Sequence, residues 1–177
     1  MFLKSTLENP KNITYEGEDK DEHILYVFRQ SFITNIPWLL IATLLLIIPA
    51  FLLPLVPPFI HESFRLPIVL FWYLVVFGYS FQHFLNWFFN VYIISDKKII
   101  DVDFHGILYK NISEASIRSI EDVTSTVKGL VGVVFNIGDV YIQTAAENRE
   151  FEFNNVGNPS KIRDLVSDLV AKKKGHK

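Results

Sequence analysis

Residues 36–53 read IPWLLIATLLLIIPAFLL, and this stretch decides the architecture of the chain. It lies within a longer region, between Arg29 and Glu62, that contains no Asp, Glu, Lys or Arg. A second charge-free region runs from Arg65 to Asp96. Each region exceeds the roughly 20 residues that a helix needs to cross the hydrocarbon core of a bilayer. Neither region carries the polar face that a water-soluble helix shows at helical spacing.

The two regions predict two transmembrane helices, over residues 32–56 and 66–90. The alternative is a buried helical hairpin in a soluble protein. A chain of 177 residues is too small to cover two such helices on all sides, which favours the membrane. The connection, residues 57–65, is short. The helices are therefore expected to run antiparallel, with both termini of the chain on one side.

Basic residues near the membrane ends predict which side that is, because cytoplasmic segments carry an excess of Lys and Arg. Four such residues flank the helices on the side of the termini: Lys20, Arg29, Lys97 and Lys98. The connection holds only Arg65. Both termini, including the N-terminal segment 1–31, are therefore expected in the cytoplasm. Three amphipathic rings are expected at that interface: Trp38, Trp87 and Tyr92.

The composition excludes several classes of protein. Hydrophobic residues make up 50% of the chain and charged residues 20%, which excludes a disordered tail protein and a coiled coil. There is no cysteine, so a disulfide scaffold, a thiolate zinc site and a cysteine nucleophile are excluded. The net charge of −2 argues against a nucleic-acid binder, which would usually be basic.

After the second apolar region the pattern changes to alternation. Ile100, Val102 and Phe104 alternate with Asp101 and Asp103, as in a half-buried strand. Similar runs are separated by turn residues, and this favours a small antiparallel barrel or sandwich. About seven short strands are predicted, near residues 90–95, 98–104, 106–112, 116–126, 132–137, 139–145 and 149–154.

An amphipathic helix is predicted to follow the strands. Asn158 is a candidate N-cap, and Pro159 suits the first helical position. The apolar residues recur at helical spacing along one face: Ile162, Leu165, Val166, Leu169 and Val170. Such a stripe needs a sheet or the open end of a barrel to cover it.

Seven strands followed by such a helix have the outline of a pleckstrin-homology-like (PH-like) barrel. Residues 91–100, VYIISDKKII, resemble the opening hairpin of bacterial PH-like membrane proteins, in which it directly follows a transmembrane pair. Residues 119–123, SIEDV, and 138–145, GDVYIQTA, resemble two further strands of that family, and Asn158-Pro159 resembles its helix start. The resemblance covers about residues 16 to 170.

The resemblance implies a fold and a location. The fold is a membrane helical hairpin plus a mostly-β PH-like domain over residues 91–172, with a basic tail at 173–177. The location is the bacterial inner membrane, with two spans and both termini in the cytoplasm. The family supplies no reaction and no catalytic residues to carry over.

Polar residues within the second predicted span form a candidate stripe: Tyr79, Gln82, His83 and Asn86. Polar groups are costly in lipid, so this stripe is expected to face the first helix, a partner subunit or water. It could respond to a proton or a ligand. The favoured interpretation is interhelical hydrogen bonding that holds the hairpin or an oligomer together.

Two other clusters have alternative interpretations. The basic residues Lys172, Lys173 and Lys174 could contact anionic lipid, or could form a solubilising terminus. Asp101, Asp103 and His105 alternate along one strand and could touch a metal. A solvated hairpin edge is the favoured interpretation there, so no metal site is predicted.

These observations predict a membrane-anchored interaction or scaffolding module that is not an enzyme and needs no cofactor. The bilayer and a protein partner or second copy are the expected partners, with binding through a barrel loop or an exposed strand edge. Nucleic acid is not expected. The alternatives are a lipid-sensing module and an accessory subunit of a membrane enzyme or transporter. Residues 129–132, GLVG, lack a P-loop ending and are predicted to form a loop that packs on the membrane or barrel.

Overall fold

A computed structural model describes residues 6–10, 14–15, 17–19, 21–55, 62–105, 109–145 and 150–175. The strands in this part of the chain are β1 (Thr6–Glu8), β2 (Ile24–Arg29), β3 (Val91–Ser95), β4 (Lys98–His105), β5 (Tyr109–Ser116), β6 (Ile120–Thr126), β7 (Ile137–Thr144) and β8 (Glu150–Gly157). The α-helices are α1 (Ile36–Leu52), α2 (Glu62–Phe89), α3 (Gly129–Phe135) and α4 (Pro159–Lys174). Short 3-10 helices cover Phe32–Asn35, Leu53–Leu55 and Ile117–Ser119.

In the described part of the chain the strands form two antiparallel sheets, and the predicted PH-like barrel of about seven strands is not confirmed. One sheet has the order β1-β2-β3-β4-β5 and the other β6-β7-β8. The chain turns at the 3-10 helix Ile117–Ser119, where the Ile117 amide donates to the Lys97 carbonyl, and β6 then starts the second sheet. Among the described residues, the sheets meet at a bridge between Gln30 and Val156 and at a 2.8 Å hydrogen bond from the Ser31 amide to the Asn155 carbonyl.

The first sheet includes strands from both sides of the apolar hairpin. The N-terminal segment 1–31 is predicted as separate from the domain at 91–172, but β2 pairs with β3, and β1 pairs with β2. Val27 and Phe28 of β2 are buried in the structure. The domain therefore begins before α1, and the hairpin is inserted between two neighbouring strands. We call the end of the sheets next to the hairpin the junction end and the opposite end the far end.

The strand predicted near residues 132–137 is instead the short helix α3 followed by the start of β7. Val133, Val134 and Phe135 favour strands by intrinsic propensity, which explains the wrong prediction. Tertiary contact decides otherwise, because Asn136 at the end of the helix donates to the Asn158 side chain and accepts from the Asn158 amide. Gly132 also lies close to the Ile137 carbonyl, where a Cβ would be 2.8 Å from the oxygen. The helix ends at Asn136, whose left-handed conformation (φ 52°) reverses the chain into β7.

The main core lies between the two sheets and α4. Tyr92 of β3 and Phe153 of β8 stack at its centre, with ring centroids 4.5 Å apart. Helix α4 covers this core with the predicted apolar stripe, of which Ile162 and Val166 are fully buried. Asn158 precedes α4 but makes no side-chain capping bond. Its side chain instead accepts a 2.6 Å hydrogen bond from Asn136, which ties the start of α4 to the end of α3.

The N-terminal loop is held against the far end of the first sheet by Lys98. Its Nζ lies 3.4 Å from Glu114 Oε2, 3.6 Å from Asp19 Oδ2 and 3.9 Å from Glu22 Oε2. The Glu22 side chain has no exposed surface. Burial opposes its ionisation, but the nearby hydroxyl groups of Ser95 and Tyr15, the Asp19 amide and the Lys98 charge lower its pKa overall. Lys98 therefore compensates a buried charge.

The apolar helices pack side by side as an antiparallel hairpin. Their apolar runs cover Phe32–Leu55 and Ser63–Phe89, with 24 and 27 residues. Pro49 lies inside α1 and has no amide hydrogen, so the Leu45 carbonyl four residues earlier has no donor within the helix. Trp72 of α2 supplies the missing donor, with its indole Nε1 at 2.9 Å from the Leu45 oxygen. The carbonyl that Pro49 leaves without a donor in α1 is thus satisfied by Trp72 of α2.

We expect Trp72→Phe to lower the free energy of unfolding of the full chain in mixed micelles by about 1 to 2 kcal/mol, because the Leu45 carbonyl loses its donor. Pro49→Ala restores an amide hydrogen to α1, so the same Trp72→Phe change should cost less in that background. A double-mutant cycle measures the difference. An equal loss in both backgrounds would show that the proline and the tryptophan are not coupled.

Candidate functional site

The hairpin joins the sheets without a linker. Helix α2 ends at Phe89 and only Asn90 separates it from β3. The Asn90 side-chain oxygen accepts a 2.6 Å hydrogen bond from the Phe104 amide in β4. Trp87 Nε1 donates to the Gln30 carbonyl at 3.1 Å, just after β2. These bonds tie α2 to both neighbours of β3, so the orientation of the hairpin is coupled to that of the sheet.

One member of the predicted polar stripe, His83, lies at the contact between the helices, and a second, Tyr79, packs against it. The His83 ring stacks on Trp38 of α1, with centroids 5.6 Å apart and an interplanar angle of 12°. The Tyr79 ring meets His83 edge-on, with centroids 4.5 Å apart. Trp38 Nε1 also donates to Asn35 Oδ1 at 2.8 Å, and Asn35 is buried. The histidine is thus placed between aromatic rings from both helices.

The other two members have different surroundings. Gln82 lies exposed on the surface of α2, whereas Asn86 is half-buried and makes a polar interaction. The four residues therefore do not form one continuous site. His83 contacts the other helix through Trp38, whereas Tyr79 contacts His83 on its own helix. The interhelical role of the four residues stays a prediction.

The three lysines predicted to contact anionic lipid lie at the far end of the domain. Helix α4 starts at the junction end, where the Asn158 amide donates to the Asn136 carbonyl at 2.8 Å. It ends beside β6, where Lys174 Nζ donates to the Ile120 carbonyl at 2.8 Å. Lys172 and Lys173 precede Lys174 in the last turn. The lipid contact predicted for this cluster stays a prediction.

Asp101 and Asp103 lie on the face of β4 that points between the sheets. Asp101 is opposite Tyr92 in the register of β3 and β4, and paired residues share a face. Burial, followed by repulsion from Asp103, raises the pKa of Asp101 to about 7. Its Oδ1 is buried and has no hydrogen-bond partner among the described residues. The sequence predicts a solvated hairpin edge here, whereas the Asp101 side chain is half-buried in the structure.

The described residues contain no group of three or more His, Cys, Asp or Glu side chains that could hold a metal ion. The His105 side chain, the third member of the candidate cluster, lies outside the described part. The Asp103 side chain is engaged in a separate polar or electrostatic interaction. The structure therefore brings two carboxylates to one strand face and assembles no larger ligand set there.

Tyr92 is not at the membrane interface, where the sequence predicts it. It is 1% exposed, and its hydroxyl accepts a 3.0 Å hydrogen bond from the Asn154 amide in β8. Burial raises its pKa to about 12. Tyr92 therefore links the two sheets. Trp87, which is buried at the junction, and Trp38, which is half-buried against His83, remain next to the start and end of the hairpin.

The sheets leave an open groove between β1 and the start of α4, which we call the edge groove. Its volume is about 470 Å³. An exposed ion pair between Glu8 and Lys161 crosses it, with Nζ 3.3 Å from Oε1. Its walls mix apolar side chains with these charges, and they are formed by Thr6, Leu7, Glu8, Phe28, Gly157, Asn158, Lys161, Ile162 and Leu165.

The outer edge of β1 presents backbone groups to the edge groove. The Asn9 amide donates to the Leu25 carbonyl at 2.9 Å, in register with the pairing of β1 and β2. Hydrogen-bonded and non-hydrogen-bonded pairs alternate in antiparallel strands. The N–H and C=O groups of Thr6 and Glu8 therefore point away from β2. The sequence did not reveal this groove, because β1 is only three residues long and lacks an alternating pattern of its own.

The elements described so far define a class of protein, in which two antiparallel sheets and a C-terminal helix form a PH-like fold around an inserted apolar hairpin. A family model described as bacterial PH domain matches residues 31–170. The chain belongs to this family, and the resemblance noted from the sequence is confirmed. The match begins just after β2, so β1 and β2 lie outside the matched residues.

A solved structure is also similar to the chain. It is the crystal structure of a protein with a pleckstrin-homology domain from Shewanella loihica, with 13% sequence identity and a TM-score of 0.36. The similarity covers 46% of this chain and 70% of that one. No curated protein matches the chain.

The raised pKa of Asp101 predicts a pH-dependent stability. The folded state retains the proton to about pH 7, while the unfolded chain loses it near the ordinary value of 3.8. The free energy of unfolding therefore falls as the pH rises through this window and levels off above it. Asp101→Asn should remove the fall and stabilise the full chain by about 1 to 2 kcal/mol at about pH 8, a figure reduced for partial exposure.

Thermal unfolding of the full chain in detergent micelles at several pH values measures this effect. Asp168→Asn, an exposed change on α4, serves as the control and should leave the pH dependence unchanged. If Asp101→Asn and the parent chain lose stability equally between about pH 4 and 8, the Asp101 side chain is ionised throughout and the account of its burial is wrong.

Proposed function

We propose that the chain is a membrane-anchored interaction module without catalytic activity. In this proposal α1 and α2 cross the membrane, the PH domain lies on the cytoplasmic face, and a partner protein binds an exposed strand edge. The observation that carries the proposal is the apolar surface of the hairpin, which nothing in the described part of the chain covers.

The exposure of the hairpin argues against a soluble core. Only 11% and 6% of the residues in the most apolar windows of the two helices are buried within the protein. The core helix of a soluble protein would be mostly buried. Leu40, Leu44 and Leu74 are examples of large side chains left exposed. Soluble monomers rarely expose apolar patches of this extent, and a lipid bilayer is the environment that matches both their length and their composition.

The polar groups of the hairpin support the same proposal. The hydroxyl of Thr43 donates to the Leu39 carbonyl at 2.8 Å, and that of Ser80 donates to the Val76 carbonyl at 2.8 Å. These hydroxyls are satisfied inside their own helices, as an environment without water requires. The Leu45 carbonyl freed by Pro49 likewise receives its donor from within the hairpin.

The cytoplasmic location is supported by the positions of the basic residues. Arg29 lies at the junction end, with its guanidinium carbon 4.7 Å from the centroid of the Phe88 ring. Lys97 and Lys98 follow β3 on the same side of the hairpin. The excess of such residues on one side of a membrane protein indicates the cytoplasmic side.

The edge groove is the proposed binding surface for a partner. Thr6 and Glu8 present outward-facing backbone groups, and α4 supplies apolar side chains on the opposite wall. An extended peptide could add to β1 as a further strand, with its backbone bonded to the sheet and its side chains against Ile162 and Leu165. The Glu8–Lys161 ion pair is exposed, so opening it to admit a peptide costs little.

The membrane topology can be tested with single cysteines, because the chain has none of its own. Ser160 is exposed on α4, and Ser63 is exposed at the start of α2 near the predicted external connection. In intact cells, a thiol reagent that does not cross membranes should label Ser63→Cys and not Ser160→Cys. Labelling of Ser160→Cys should require disruption of the membrane.

The opposite labelling pattern would refute the cytoplasmic location of the PH domain. Equal labelling of both variants in a chain that alkaline carbonate releases from membranes would refute the anchor itself. Either result is clear-cut, since both positions are exposed and neither lies in the core.

The strand-edge proposal predicts a difference between two variants at Thr6. Thr6→Pro removes the outward N–H and leaves the bonds between β1 and β2 intact, whereas Thr6→Val keeps that N–H. With a photocrosslinking residue at position 161, the Thr6→Val chain should form the same crosslinked complex as the parent chain in native membranes. Thr6→Pro should lose most of it. Equal crosslinking by both variants would exclude strand addition at β1.

A further inference from the structure

Helix α3 exposes an apolar surface that the PH domain does not need for its own core. Its sequence, GLVGVVF, has no polar side chain. Leu130 is 86% exposed and Val134 is 72% exposed. Five large side chains of this helix lie on the surface and form what we call the α3 patch: Leu130, Val131, Val133, Val134 and Phe135.

The α3 patch is held outward by the fold. Gly132 is the buried residue of the helix, and its closeness to the Ile137 carbonyl fixes the face that points inward. At the end of α3 the Asn136 side chain donates to Asn158, and the Asn158 amide donates back to the Asn136 carbonyl. A helix of seven residues is unstable alone, so these contacts keep it formed.

Helix α3 lies beside the start of the first apolar run. Val131 and Gly132 line a cavity of about 370 Å³ together with Ile33 and Pro37. Ile33 belongs to the 3-10 helix at the beginning of that run, and Pro37 to the first turn of α1. The patch is therefore placed at the level where the hairpin leaves the PH domain.

We infer that α3 is a membrane-binding helix, which lies in the interface of the bilayer that the hairpin enters. This inference rests on the proposed membrane anchor. A short apolar helix at that depth buries its side chains among the head groups and the first acyl carbons. The lipid surface is favoured over a second copy of the chain because the cavity brings Val131 of the patch to Ile33 and Pro37 at the start of the apolar run. Phe32 and Ile36, the chain neighbours of these two residues, are exposed and apolar, so in the proposed anchor the bilayer begins there.

Lys128 lies where a cation could face the lipid head groups beside α3. It directly precedes α3, and its side chain is 65% exposed. Its Nζ lies 3.1 Å from the Tyr141 hydroxyl and 3.6 Å from Asp139 Oδ2, which hold it at the junction end. A cation at this height can also face lipid phosphates while α3 lies deeper. The resulting contact would fix the rotation of the PH domain about the hairpin.

The test uses the full chain in phosphatidylcholine nanodiscs with single cysteines that carry an environment-sensitive fluorophore. Val134→Cys reports on the α3 patch. Leu44→Cys, in the middle of α1, reports on the anchor. Glu121→Cys, exposed at the far end on β6, is the control that should stay in water. Spin-labelled lipids with the quencher at different depths then locate each fluorophore.

We expect shallow quenchers to reduce emission most at position 134, deep quenchers at position 44, and neither at position 121. Quenching at 44 without quenching at 134 would overturn the inference and leave the anchor intact. A lack of quenching at 44 would overturn the proposed anchor. A fluorophore at 134 that is shielded from water, unquenched by lipid and close to a second labelled chain would assign the patch to self-association instead.

Two double variants distinguish insertion of α3 into lipid from mere proximity of position 134 to the bilayer. Leu130→Glu with Val133→Glu should abolish quenching at position 134, because two carboxylates on the patch oppose burial in lipid. Leu130→Met with Val133→Ile should leave the quenching unchanged. All four residue changes lie on exposed side chains, so the circular dichroism of the chain should stay the same. Equal quenching in both variants would overturn insertion of α3.

Discussion

The antiparallel pairing of β2 with β3 determines how the apolar hairpin and the sheets are arranged. Arg29, the last residue of β2, is in register with Val91, the first residue of β3, although the whole apolar hairpin lies between them in sequence. Both ends of the hairpin are therefore held side by side on one sheet. This forces α1 and α2 to run antiparallel, and it keeps β2 and β3 at the same end of the hairpin.

The same constraint explains why the hairpin and the PH domain form one unit. Trp87 bonds to Gln30, just after β2, and Asn90 bonds to Phe104 of β4, so α2 is held on both sides of β3. Helix α3 and the start of α4 are tied to each other at the same end through Asn136 and Asn158. The elements nearest the hairpin are thus fixed by hydrogen bonds, and the open edge at β1 lies to one side of them.

Much of this fold can be predicted from sequence where the signal is local. Long charge-free runs indicate the two apolar helices, and the recurrence of Ile162 and Val166 at helical spacing indicates α4. Prediction from sequence fails where contacts between residues far apart in the chain determine the structure. Strand β2 is short and follows an acidic stretch, and its burial depends on β3, far away in sequence. Helix α3 has strand-forming residues, but it ends at Asn136, which is hydrogen-bonded to Asn158 in a later part of the chain.

The candidate sites also divide into contacts that are local in sequence, which can be predicted, and long-range contacts, which cannot. The contact of His83 with Tyr79 is predictable from helical spacing, because both residues lie on α2 one turn apart. The stack of His83 on Trp38 depends on how two helices pack, and the edge groove depends on β1, whose partner strand is itself hard to recognise. The far-end position of Lys174 likewise follows from the direction of α4 across the sheets rather than from its charge.

Hydrogen exchange of the full chain in nanodiscs can show whether the apolar hairpin is inserted between two paired strands. We expect slow exchange throughout α1 and α2, and equally slow exchange for the amides that join β2 to β3. Fast exchange in β2 beside a protected β3 and a protected hairpin would contradict this expectation. In that case the N-terminal strand would not belong to the sheet, and the two ends of the hairpin would not be held together.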